Sequence, residues 1–153
     1  MTAVRDVVAA VVDPELRVVT IDELGILREV TEESGRVTVT ITPTYTGCPA
    51  MDVIRSDIRR ALAAAGHPES EVVTVLSPAW TTDWISPAGR DKLAAAGVAP
   101  PGPAQVVPLT LAVRCTLCGS PDTTLISRFG SAACKALWRC GACGEPFDAM
   151  KAL

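Results

Sequence analysis

The chain has 153 residues, 48% of them hydrophobic and 20% charged, which suits one packed domain with a small second module and excludes wholesale disorder. Its net charge of −3 divides into −4 over residues 1–114 (ten Lys/Arg against fourteen Asp/Glu) and +1 over the rest (four against three), so neither part has the basic stripe of a nucleic-acid-binding surface. No apolar run is long enough to cross a bilayer and Arg5 and Asp6 interrupt any signal-peptide core, so a cytoplasmic protein without a membrane partner is expected, its six cysteines kept reduced for metal or thiol chemistry.

Thr2 is placed to cap a helix whose apolar positions Val4, Val7, Val8, Val11 and Val12 follow the 3.6-residue period. Asp13-Pro14-Glu15 closes it, because a residue before proline is steered out of helical geometry. Residues 26–31 and 37–42 are expected to pair as antiparallel strands across a turn at 32–35, since Val37, Val39 and Ile41 alternate with threonines. The loop Pro43-Thr44-Tyr45-Thr46-Gly47-Cys48-Pro49 then leads into a helix, with Pro49 at its first position and Val53, Ile54, Ile58, Ala61, Leu62 and Ala65 as its apolar stripe. Gly66 ends this helix and Pro68 prevents its resumption. A third strand is expected at 72–76, a short helix capped by Ser86 at 87–96, and a proline-rich linker at 99–108.

The organisation that follows is an α/β (α+β) domain over 1–98 with a three-stranded sheet and flanking helices, then a four-cysteine zinc ribbon over 109–153. Cys115-x-x-Cys118 and Cys140-x-x-Cys143 flank a 21-residue spacer, and each CxxC turn can present two sulfurs to one ion. Four thiolates close a tetrahedral site against water and substrate, so the reading is structural zinc; an iron centre or a redox pair is the other use of such cysteines. Strands are expected at 109–113, 124–128 and 137–139. Cys134 lies outside the pairs, either a buried free thiol or an auxiliary metal ligand.

Cys48 is the candidate reactive thiol. Gly47 and Pro49 put it at the cap of a helix, where free N–H groups and the positive end of the dipole favour a thiolate. Thr46 is near enough to add a hydroxyl, and Asp13 and Glu15 are acidic neighbours if the first helix ends against this loop. The other reading is a small buried cap residue. His67, the only histidine, follows Gly66 in a turn, so a Cys–His catalytic pair has little support. Trp80 and Trp84 suit either core packing or an aromatic partner-binding patch.

Asp13-Pro14-Glu15, the Tyr45-Thr46-Gly47-Cys48-Pro49 loop and the helix after it together resemble the small iron–sulfur-assembly domain of SufT-like proteins. Four further stretches resemble the phenylacetate-degradation branch of that family: 77–86 with both tryptophans, Gly89-Arg90-Asp91-Lys92-Leu93, Ala99-Pro100-Pro101, and the tail from Arg128-Phe129-Gly130-Ser131 to Phe147-Asp148. The resemblance spans essentially the whole chain. It implies an accessory subunit of the phenylacetyl-CoA epoxidase system, with the oxygenase or reductase subunits as partners. That subunit would mature or deliver an iron–sulfur cluster or iron, with Cys48 as the motif cysteine, Thr46 its neighbour, and Asp13 and Glu15 the acidic pair. One cysteine cannot hold a cluster, which takes about four ligands, so a homodimer or a hand-over complex is implied. The alternatives are a non-catalytic structural subunit and, disfavoured by the missing base, a thiol-dependent enzyme acting on CoA thioesters.

Overall fold

A computed structural model describes residues 3–102 and 113–152, which form two compact units. The first comprises residues 3–80 with 84–86, the second 81–83 with the chain from 87 onward.

In the first unit α1 (Val4–Ala9) is shorter than its valine pattern suggests. The Val11 N–H already bonds back to the Val8 carbonyl, and Val12 leaves the helix to bridge Thr20 in antiparallel fashion, 45% exposed. The Asp13 carboxylate explains the exit. Its Oδ1 accepts the N–H groups of Glu15 and Leu16 at 2.9 and 2.8 Å, an Asx turn that competes with the helix for these residues. Thr20 and Glu23 then exchange side-chain to backbone bonds as a capping box.

β1 (Leu27–Glu33) and β2 (Arg36–Ile41) are antiparallel and run right up to a two-residue turn, tighter than the four-residue turn expected from the sequence. Ser34 and Gly35 take φ of 52° and 82°, the positive pair that matches the twist of a hairpin. β2 continues through α2 (Ala50–Ala64) to β3 (Ser70–Thr74), which lies parallel to it, giving the sheet order β1-β2-β3. This is the expected α+β domain with a three-stranded sheet. Val37, Val39 and Ile41 of β2 and Ile54, Ile58 and Leu62 of α2 belong to the core, and all six are fully buried. Each contributes on the order of 2 kcal/mol by leaving water. The stripe is narrower than the sequence suggests: Val53, one helical step from Ile54, is 46% exposed.

The second unit holds α3 (Pro87–Ala95) and a sheet in the order β4-β7-β6-β5. Its strands are β4 (Val98–Ala99), β5 (Thr123–Ser127), β6 (Lys135–Cys140) and β7 (Pro146–Met150). β5, β6 and β7 are successively antiparallel, while β4 adds to β7 in parallel through Val98↔Asp148 and Ala99↔Ala149. Ala99, read from sequence as the start of a linker, is therefore a strand residue; positions 103–108 of that linker and 109–112 of the expected first ribbon strand lie outside the described residues. Arg90 ties the unit's start together by donating to the carbonyls of Thr82 and Pro101. One described core cluster comprises Ala99, Cys115, Cys140, Phe147 and Ala149, with Val113 and Trp138 packed against it.

Candidate functional site

Each CxxC pair forms a backbone turn that points its sulfurs inward. The Gly119 N–H bonds the Cys115 carbonyl at 2.9 Å and the Gly144 N–H bonds the Cys140 carbonyl at 3.0 Å, so the two knuckles share one geometry. Leu117 N–H and Cys143 N–H point at the sulfurs of Cys115 and Cys140, both at 3.4 Å, and stabilise thiolate there. The four ligand atoms lie within 4.8 Å of one another. Cys115 Sγ and Cys143 Sγ are 3.7 Å apart, and Cys118 Sγ and Cys140 Sγ 3.5 Å. A tetrahedron with metal–sulfur bonds of about 2.3 Å has edges of about 3.8 Å, so these sulfurs fit one four-coordinate ion.

The thiols also divide as a crowded set must. Cys140 is lowered to about 7, chiefly by the Cys143 backbone N–H. Cys143 is pushed up to about 12: the Glu145 N–H favours its thiolate, but desolvation and the other three sulfurs outweigh it. Without a cation the set resists full ionisation, whereas a divalent metal would release the remaining protons.

Cys48 stands alone by comparison. Among the described residues only the four ribbon cysteines bring three or more metal-ligating groups together. Cys48 is half-buried just before α2, whose N-cap is Pro49 rather than Cys48. The expected bias towards thiolate does not hold. Burial pushes the Cys48 thiol up from its ordinary value; hydrogen bonds from the Ala50 N–H and the Tyr45 side chain pull it back, and the charges of Glu15 and Asp13 add to the rise. The acidic pair therefore does act on this thiol, adding a smaller push to the rise that burial causes. The same carboxylates favour a cation at the sulfur over a bare thiolate.

A direct measurement follows from the signs. Alkylation of Cys48 by iodoacetamide, followed by peptide mass spectrometry across alkaline pH, is expected to have its midpoint above that of a free cysteine. Glu15→Gln removes a raising charge and is expected to speed the reaction a few-fold at fixed pH, and Tyr45→Phe to slow it. Identical rates in all three proteins would remove the electrostatic account.

The remaining sequence candidates separate clearly. Thr46 is exposed, and the hydrogen-bonding side chain at Cys48 belongs instead to Tyr45, three residues upstream in the same loop. Trp80 is core: it is 6% exposed and its Nε1 donates to the Leu24 carbonyl at 2.8 Å. Trp84 is half-buried with the Arg28 guanidinium 3.6 Å over its ring, a cation–π contact. Cys134 is 6% exposed and lies outside the four-sulfur cluster. His67 donates its N–H to the Leu62 carbonyl at the end of α2.

Comparison with known proteins supplies context for both cysteine sites. Residues 1–76 match the family described as iron–sulfur cluster assembly protein, and residues 100–151 match the PaaD zinc beta ribbon domain. The chain is 47% identical over 142 residues to a putative 1,2-phenylacetyl-CoA epoxidase subunit of Escherichia coli K12, covering 92% of this chain and 86% of that protein. It is 40% identical over 78 residues to the Fe–S protein maturation auxiliary factor YitW of Bacillus subtilis, covering 50% of this chain and 76% of that protein. The crystal structure of a domain of unknown function, DUF59, from Bacillus anthracis superposes with a TM-score of 0.54 at 33% identity, covering 59% of this chain and 87% of that one.

Proposed function

The chain belongs to the PaaD family, here joining an iron–sulfur cluster assembly domain to a PaaD zinc beta ribbon, and on that premise we propose that it is an accessory subunit that matures an iron–sulfur or iron centre in a partner of a phenylacetyl-CoA epoxidase system. The observation that carries the reading is the setting of Cys48: a half-buried thiol influenced by Tyr45 and two carboxylates, and outside any group of three or more metal-ligating side chains among the described residues. Such a sulfur is a poor resident cluster site, because a cluster needs about four ligands. It is a better point of transfer, where iron or a cluster is held between this protein and a client that supplies the other ligands.

Asp13 and Glu15 serve this role by attracting an iron cation, and they lower the cost of exchanging the thiol proton for a metal. Tyr45 and the Ala50 N–H then steady the sulfur's negative charge. The ribbon's ion is zinc in this proposal. Four cysteines fill its coordination shell, so it braces the fold and leaves the chemistry to Cys48. Six cysteines with no disulfide among them suit a cytoplasmic, reducing compartment. The partner is an oxygenase or reductase subunit of the epoxidase.

The test is co-expression of the epoxidase subunits with the wild-type chain or Cys48→Ala, anaerobic purification, and iron and sulfide analysis of each subunit. Cys48→Ala is expected to leave one client short of iron or sulfide while still co-purifying with it. Full cofactor content with the variant would support a purely structural subunit instead, and turnover of phenylacetyl-CoA by the isolated chain would support a thiol enzyme.

A further inference from the structure

The two halves of the four-cysteine site match beyond their sulfurs. The sequence Arg-Cys-x-x-Cys-Gly occurs twice, at 114–119 and at 139–144. In each copy the N–H of the first cysteine donates to the carbonyl of the residue after the glycine, Cys115 to Ser120 and Cys140 to Glu145, both at 3.0 Å. The glycine N–H returns to the carbonyl of that same cysteine, and the two glycines take φ of 72° and 79°. The sulfurs obey the same exchange: swapping the knuckles turns the Cys115–Cys143 approach of 3.7 Å into the Cys140–Cys118 approach of 3.5 Å.

The arginine before each pair extends the match to a side chain that is not a ligand. Arg114 Nη1 donates to the Gly119 carbonyl at 3.1 Å, and Arg139 Nε donates to the Gly144 carbonyl at 3.2 Å. Each glycine is thereby held by both of its backbone groups, its N–H by the knuckle and its C=O by the arginine. Glycine readily takes the positive φ that bends the chain beneath a pair of sulfurs, and the same freedom lets that peptide turn away. A donor fixed on the carbonyl removes this freedom. The residues inside the pairs differ, Thr116 and Leu117 in one knuckle against Gly141 and Ala142 in the other. The arginine and the glycine are therefore what the two copies share besides the ligands.

We propose that Arg114 and Arg139 are paired positioning residues for the ribbon ion, each latching the glycine that closes its own knuckle so that a sulfur stays in reach when its bond to the metal opens. An ion leaves a four-thiolate site one bond at a time. A sulfur kept in place has a high effective concentration at the metal and rebinds before the next bond opens. The latches therefore govern how slowly the ion is lost more than whether the sheet forms around it. They keep a resident ion resident, and this inference is independent of the role given to Cys48.

Release of zinc from the loaded full chain to an excess of a chromogenic chelator tests it. Arg114→Met and Arg139→Met keep the aliphatic stem and remove the donors. Each is expected to release zinc about fivefold faster than the wild type, and the double variant about twentyfold faster. Arg114→Lys and Arg139→Lys keep a cationic donor and are expected to recover most of that loss. Two further readouts separate positioning from general damage. Hydrogen exchange in β6 and β7 of the zinc-loaded methionine variants is expected to match the wild type, while their cobalt(II)-loaded forms shift the visible absorption bands that report ligand geometry. Wild-type release rates, an effect confined to one arginine, lysine variants as fast as the methionine ones, or unshifted cobalt bands would each overturn the proposal. So would faster release accompanied by lost protection in the loaded protein, which would make the arginines part of the fold and nothing more.

Discussion

Cys140→Ser is expected to cost the chain its ribbon metal and to unfold the ribbon sheet, while the first unit keeps its helices and sheet. The metal site lies within the described apolar cluster of this region. The described core around the site contains five buried residues, and two of the five are themselves ligands, Cys115 and Cys140. An apolar cluster of that size offsets only part of the conformational entropy of the strands it orders. Metal binding contributes on the order of ten kcal/mol in domains of this kind, so the ion decides whether the sheet forms. Cys140 is the ligand with most at stake. It is 1% exposed, it ends β6 opposite Thr123, and its N–H bonds the Glu145 carbonyl to turn the chain into β7. Serine presents a hard oxygen that stays protonated at neutral pH, so the site drops from four thiolates to three and gains a buried hydroxyl. Metal analysis should find little ion, and hydrogen exchange should report lost protection in β5, β6 and β7 but not in β2 or α2. Cys134→Ser is the control: its sulfur lies outside the cluster, so it should retain the metal. Full metal content in Cys140→Ser would mean that the four sulfurs do not hold the ion together.

What the residues reveal in advance is what depends on near neighbours. The alternation in Val37, Val39 and Ile41 fixes which face of β2 is buried, and Ile54, Ile58 and Leu62 mark the buried side of α2 just as directly. The two CxxC pairs are legible for the same reason, since each knuckle is a local turn. Features that depend on distant partners are not. β4 exists because Val98 and Ala99 find Asp148 and Ala149 about fifty residues later, and β7 opens on Pro146, which reads as a strand breaker until it is seen at a strand's first position. The sign of the effect on Cys48 is the sharpest case. Local sequence shows a helix start and argues for thiolate; burial and the carboxylates from the Asp13 turn, more than thirty residues upstream, argue the other way and prevail. Tyr45 sits in plain view in the loop, but nothing in the spacing says that its side chain reaches the sulfur when that of Thr46 stays exposed.

Gly25→Ala is the second large effect expected, and it concerns the tryptophan segment. Gly25 has φ of 73°, a conformation that costs an alanine about 1 kcal/mol. Space is the larger problem. A Cβ built on Gly25 would sit 2.6 Å from the Trp84 Cβ and 2.8 Å from the Trp84 carbonyl oxygen, so backbone must move and not merely a flexible side-chain tip. That backbone is held on both sides. The Ser86 N–H bonds the Glu23 carbonyl at 2.8 Å, the Trp80 indole bonds the Leu24 carbonyl at 2.8 Å, and Ile85 is 4% exposed. Overpacking against a fixed wall adds about 1–3 kcal/mol, for a total near 3 kcal/mol and a fall in Tm on the order of 10 °C. Gly66→Ala separates the two causes, because Gly66 has φ of 92° but nothing within 4 Å of its built Cβ, so only the conformational cost of about 1 kcal/mol applies. Equal losses in the two variants would mean that Trp84 does not pack against Gly25, and Trp84 would return to contention as a partner-binding side chain. A loss at Gly25 well beyond that at Gly66 makes Trp84 a fixed packing partner of the Leu24-Gly25 turn, held there by the Ser86 and Ile85 contacts around it.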